Sequence, residues 1–215
     1  MPIKAVISDF GGVLVRSLDT TSRARWAERL EVTHRELVQM VFDSETSQRA
    51  SVGLVPASAV WDALAAQLDL TRDQIRAFRR DFFAGDQINA ELLDFIGSLR
   101  PHRKTAILSN AWSDLRGVVV ERLGLDRFFD VMIISAEEGV GKPDRRIYEI
   151  AVERLGVGLD EAVFIDDMEQ NVAAAQEFGM RGVLFRDTAQ AIAEVRSHLE
   201  NDKHHEGTAS TEGSA

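Results

Sequence analysis

Four short stretches of this chain carry residue types suited to handling an anionic group. In Asp9-Phe10-Gly11-Gly12-Val13-Leu14 a carboxylate precedes two glycines. Glycine permits a tight backbone path close to a ligand, and successive N–H groups in such a turn can cradle an anion. Ser109-Asn110-Ala111-Trp112 offers a small hydroxyl followed by amides, donors that match phosphoryl oxygens. Gly141-Lys142-Pro143-Asp144 sets a lone lysine before a helix-like segment, a point cation that suits a phosphoryl group or an aspartate. Phe164-Ile165-Asp166-Asp167 ends in adjacent carboxylates whose repulsion a bound cation would offset. With no Cys, that ion would be hard and oxygen-liganded, such as Mg²⁺. Each stretch also has a plainer reading. Asp9 could cap a turn, Ser109-Asn110 could open a helix, Lys142 could be a solvated surface lysine, and either acidic residue of the pair could N-cap the segment running through Asn171 to Phe178.

What must position these residues is a set of short apolar runs of strand length at Ile3–Ser8, Lys104–Ser109, Val131–Ser135, Ala162–Ile165 and Gly182–Phe185. Helix-like segments separate all but the first two, which predicts an α/β fold with a Rossmann-like parallel sheet and helices on both faces. Such strands are buried on both sides, so they read as continuous apolar runs such as AVIS, AILS and VFID. Each candidate stretch lies at or just beyond the carboxyl end of a strand, where open α/β sheets bind ligands. Residues 16–88 read as helical throughout: Thr33 with Glu36 and Thr71 with Gln74 spell capping boxes, and Pro56 precedes AVWDALAAQL. The expected division is a core of residues 1–15 and 89–200, a helical insertion at 16–88, and a disordered tail at 201–215. That tail holds His204 and His205, read as solvated residues rather than metal ligands.

A chain of 215 residues with 45% apolar content can bury a substantial core. Its net charge of −10 argues against binding nucleic acid or an anionic membrane. No apolar run approaches the length of a membrane span, and the N-terminus lacks a signal peptide's basic-then-apolar order. The expectation is a cytoplasmic monomer or homodimer whose partner is a small molecule.

Taken together and in this order, the four stretches resemble the motifs of the haloacid dehalogenase superfamily. The strings ILSNAW, GVGKPDRRIYEIAVERLGV and AVFIDDMEQNVAAAQEFGM are similar to its subgroup with a helical cap between the first and second motifs. The resemblance implies that Asp9 is the nucleophile, that Phe10, Gly11, Ser109 and Asn110 surround the phosphoryl group, and that Lys142 orients it and balances charge. It also implies a Mg²⁺ cofactor held by Asp9, the Gly11 carbonyl, and Asp166 or Asp167, with a small phosphorylated metabolite as substrate. One position departs from the pattern. Phosphatases of the family carry a second Asp two residues after the nucleophile, as general acid and base; here that residue is Gly11. Three readings follow: a phosphatase favouring good leaving groups, a metal-independent 2-haloacid dehalogenase, or a non-catalytic phospho-ligand-binding protein. The insertion would confer specificity by closing about linkers at Val15–Asp19 and Asp86–Asn89. Trp26, Arg23, Arg25, Arg49, Trp61 and several Phe could touch substrate, with packing between helices the expected role of the apolar ones and Arg49 expected in a loop before Gly53-Leu54.

Overall fold

The structure is a computed structural model that describes residues 2–201. Five parallel strands form the central sheet in the order β5-β4-β1-β6-β7: β1 (Ala5–Ser8), β4 (Lys104–Ser109), β5 (Val131–Ile134), β6 (Ala162–Asp166) and β7 (Arg181–Leu184). From β1 the chain builds outward on one side through β4 and β5, then returns to the other side for β6 and β7. The direction reverses at β1, and such a switch point opens a crevice beyond the strand ends.

Consecutive residues of each apolar run face opposite sides of the sheet. Val6, Ile107, Val163 and Ile165 pack beneath α6 (Ala90–Leu99) and α11 (Thr188–Asn201). Ala5, Ile7, Ala106, Leu108 and Phe164 pack against α9 (Arg145–Leu155) and α10 (Glu169–Glu177). Helices thus cover both faces, and this is why the strands lack an alternating polar pattern. Two further helices follow strand ends: α7 (Leu115–Gly117), which widens into a π-helical turn over Val118–Arg122, and α8 (Ser135–Glu138). Since α11 runs to Asn201, the remainder of the expected tail, with His204 and His205, lies outside the described residues.

Within the insertion, residues 16–88, stand five helices: α1 (Thr21–Arg29), α2 (His34–Phe42), α3 (Glu45–Ser51), α4 (Ala57–Gln67) and α5 (Arg72–Phe82). Both capping boxes form, at the starts of α2 and α5, and Pro56 occupies the N-cap of α4. The five helices share a cluster of Trp26, Leu37, Val41, Val60, Trp61, Leu64, Phe78 and Phe82. The expectation of unbroken helix over residues 16–88 fails at both ends. There β2 (Val15–Ser17) and β3 (Asp86–Ile88) pair antiparallel, so the two expected linkers form one ribbon. Gly85 lies so close to the Asp19 carbonyl that a Cβ would collide with it, and Leu18 N–H donates to the Gly85 carbonyl at 3.1 Å.

Candidate active site

In the sheet register Ser8 pairs with Ile107 on one side and Ile165 on the other, so Asp9 and Asp166 leave their strands at the same level. Ser109 ends β4 beside them, buried. Lys142 comes from the loop before α9 and reaches into the middle of this group. Its Nζ lies 3.0 Å from Asp9 Oδ1 and 2.6 Å from Asp166 Oδ2, and its side chain is 1% exposed. The solvated-lysine reading therefore fails, because Lys142 is clamped between two carboxylates.

Lys142 is held in turn by Asn110. The Asn110 amide donates to the Lys142 carbonyl and its Oδ1 accepts the Lys142 N–H, both at 2.8 Å. Gly141 makes the approach possible, since a Cβ there would press on Asn110 Oδ1. The Asn110 side chain thus fixes the lysine loop. Pro143 precedes α9 rather than entering its first turn, and Asp144 caps that helix by accepting the Arg146 N–H.

The two acidic residues after β6 differ sharply. Asp166 is fully buried; its Oδ1 accepts from Met168 N–H at 2.7 Å, Asn171 Nδ2 sits 3.1 Å from both its oxygens, and Lys142 takes Oδ2. Asp167 is exposed and lies over Gly12, where a Cβ would collide with its carboxylate; Gly12 also has φ 80°. The helix-capping alternative fails for both carboxylates: the N-cap of α10 is Met168, no side chain caps that end, and of the main-chain donors there Asp166 meets only the N–H of Met168 itself.

Asp9, Asp166 and Asp167 each bring a carboxylate oxygen within 4.8 Å of the others. Burial pushes the Asp9 carboxyl up to about 6 against the pull of Lys142, and Asp166 adds to the rise. Asp167 is raised as well, first by partial desolvation of its carboxyl and then by the charge on Asp166. Three carboxylates against one ammonium leave an uncompensated double negative charge. A hard oxygen donor set of that charge matches a divalent cation such as Mg²⁺ or Ca²⁺.

Among the other expected site residues, Phe10 is buried in the core and its N–H is taken by Asp9 Oδ1 at 2.7 Å. Gly11 is exposed, and a Cβ placed on it would meet nothing within 4 Å. In the insertion, Arg23 is committed to scaffolding: Nε donates to the Phe82 carbonyl at 2.6 Å and a terminal nitrogen pairs with Asp86 at 3.2 Å. Trp26 and Trp61 lie in the helical cluster, Arg25 is exposed, and Arg49 sits on the last turn of α3 rather than in a loop. Two residues left out of the expected site join it. Asn171 braces Asp166, and Ser135 ends at the crevice side of β5, where the same strand-end rule would have found it.

A family model of haloacid dehalogenase-like hydrolases matches residues 3–179, and the chain belongs to that family. Its relatives lie on both sides of the question of what is hydrolysed. It is 33% identical over 117 residues to bifunctional epoxide hydrolase 2 of Rattus norvegicus, a match covering 52% of this chain and 21% of that protein. It is 27% identical over 201 residues to a sesquiterpene phosphatase of Aspergillus oryzae, covering 90% of this chain and 95% of the relative. A HAD family enzyme of Bacteroides thetaiotaomicron, in complex with magnesium and inorganic phosphate, shares the fold with a TM-score of 0.69 at 23% identity over 86% of this chain and 94% of that one. The L-2-haloacid dehalogenase of Xanthobacter autotrophicus, with chloropropionic acid covalently bound, superposes with a TM-score of 0.62 at 28% identity, covering 89% and 81%. Among the described residues no helix is long and apolar enough to cross a membrane.

Proposed function

We propose that this protein is a Mg²⁺-dependent phosphatase that acts on a small phosphorylated metabolite through an aspartyl-phosphate on Asp9. The observation that carries this reading is the acidic cluster of Asp9, Asp166 and Asp167 around a single buried lysine, two charges short of neutrality. The phosphate- and magnesium-bound neighbour and the phosphatase relative support it.

Asp9, the Gly11 carbonyl and Asp167 would hold the ion, because Asp166 already has its lone pairs engaged by Lys142, Asn171 and Met168. When bound, Mg²⁺ lowers the repulsion between the carboxylate and an incoming phosphate dianion. Asp9 attacks phosphorus, the bond to the leaving oxygen breaks, and water then hydrolyses the acyl phosphate, so one hard displacement becomes two easier ones. Lys142 orients Asp9 and balances its charge, while Ser109 and the Asn110 amide hold the phosphoryl oxygens.

Gly11 refines the substrate class. A general acid contributes about 10²–10⁴ in rate, and without one an alkoxide must leave unprotonated. The substrates are therefore activated phosphates, such as sugar 1-phosphates or acyl phosphates. A panel of phosphates of graded leaving-group pKa tests this: kcat/KM should fall steeply as that pKa rises, and a flat dependence would discard the idea.

Gly11 also favours a second reading, a haloacid dehalogenase, in which halide leaves without a proton; the relation to the Xanthobacter enzyme adds to it. The intact acidic pair weighs against it, since carbon attack needs no cation. EDTA separates the two: phosphate release should stop, whereas halide release from 2-haloacids would persist.

A further inference from the structure

Resting on that reading, we propose that Ser135 is a positioning residue through which docking of the helical insertion holds the phosphate-binding loop Ser109–Ala111. Ser135 opens α8 at the end of β5 and is 1% exposed. Its Oγ accepts the Ala111 N–H at 3.0 Å. The same oxygen donates to the carbonyl of Ser51, the last residue of α3 in the insertion, and has a second acceptor in the Ala111 carbonyl at 3.3 Å. A serine hydroxyl owns one proton, so it serves one acceptor at a time. With the insertion docked, the proton goes to Ser51; with the insertion withdrawn, it turns to Ala111.

The surrounding seam is closely fitted. Gly53, at φ 72°, lies against the Ala136 carbonyl so tightly that a Cβ would collide with it. Trp112, next along the same loop, joins the aromatic cluster of the insertion, 5.8 Å from Phe42 and 5.6 Å from Trp61 between ring centroids. Its Nε1–H donates to Ser47 Oγ at 3.1 Å. Trp112 is thus gripped directly from the insertion and Ala111 through Ser135, while Asn110, the residue before them, holds the main chain of Lys142. A shift of α3 reaches the lysine that faces Asp9 through Ser135, Ala111 and Asn110.

The test places the change on the insertion and reads it in the core. Gly53→Ala should speed amide hydrogen exchange at Ala111 about tenfold while leaving amides of β1 unchanged, as local opening of that loop requires. Ser135→Ala should do the same, and the double variant should add little, because both act on one contact. With p-nitrophenyl phosphate and Mg²⁺, both variants should lower kcat more than they raise KM. Should Gly53→Ala fail to fold, Ser47→Ala removes only the acceptor of Trp112 and reads the same exchange. Unchanged exchange at Ala111 in the insertion-side variants would overturn the proposal, since the core alone would then hold the loop. The exchange readout needs no turnover, so an enzyme that releases no phosphate from any substrate would refute the phosphatase reading separately.

Discussion

The sheet and the helical insertion both bury ionisable side chains, and they treat them in opposite ways. In the insertion, Arg23 is matched by one opposite charge: it donates to the Phe82 carbonyl, pairs with Asp86, and lies 4.1 Å over the Phe82 ring. Asp86 accepts from Ser17 as well, so this buried cation ties α1 and α5 to the ribbon. At the end of the sheet, Asp9, Asp166 and Lys142 are buried with charge left over, and Asp9 is pushed up to about 6. A buried charge matched one to one by its opposite is scaffold. A buried cluster that is out of balance at a topological switch point is a place prepared for something that arrives later.

The largest effect expected from this contrast is on Asp9. Asp9→Asn should cut turnover by about 10⁴-fold or more, as loss of a nucleophile does, without lowering the melting temperature of the metal-free protein. Phosphate release and calorimetry check the two halves; turnover near that of the parent would end the nucleophile assignment. Gly11→Asp comes next. A Cβ at that position meets nothing within 4 Å, and phosphates with poor leaving groups should gain about 10² in kcat/KM, while activated ones change little. Arg23→Met should invert the pattern seen at Asp9. Leaving Asp86 without its cation should cost about 3 kcal/mol in urea unfolding, with kcat preserved below the melting transition. Loss of activity in a folded Arg23→Met protein would contradict the scaffold role.

The smallest expected effect is in pH dependence. Asp9 has a folded-state pKa of about 6 against an ordinary 3.8, so between those values the folded protein holds a proton that the unfolded chain releases. Metal-free protein should therefore lose stability as pH rises from about 4 to about 6 and level off above that. Asp167, also raised, acts in the same direction. Melting temperatures in EDTA should show this slope, and Asp9→Asn should reduce it to the part that Asp167 supplies.

How far the sequence could be read follows the same division. The sheet was legible because buried parallel strands write themselves as unbroken apolar runs, and because strand ends in such a sheet collect polar residues. The capping boxes at Thr33 and Thr71 were legible because a cap is local chemistry. What stayed hidden was long-range and polar. Strands β2 and β3 are three residues each, VRS and DQI, too short for any period to show. Arg23 looked like a substrate contact because its partners, Phe82 and Asp86, are far along the chain. Asp166 and Asp167 looked alike; only the fold buries one under Lys142 and Asn171 and sets the other over Gly12. Ser135 gave no sign beyond its position, because its partners are backbone groups of Ala111 and Ser51.

The ribbon of β2 and β3 makes the insertion a removable part. Ser17 and Asp86 face each other across it, so the chain leaves the core and returns to it at one point. A two-residue turn could close that gap, since antiparallel strands need no more. A chain shortened in this way would keep every strand of the five-stranded sheet and the whole acidic cluster, while losing the aromatic roof over Trp112. It would be a minimal hydrolase core onto which a different set of helices could be grafted to change what the site admits.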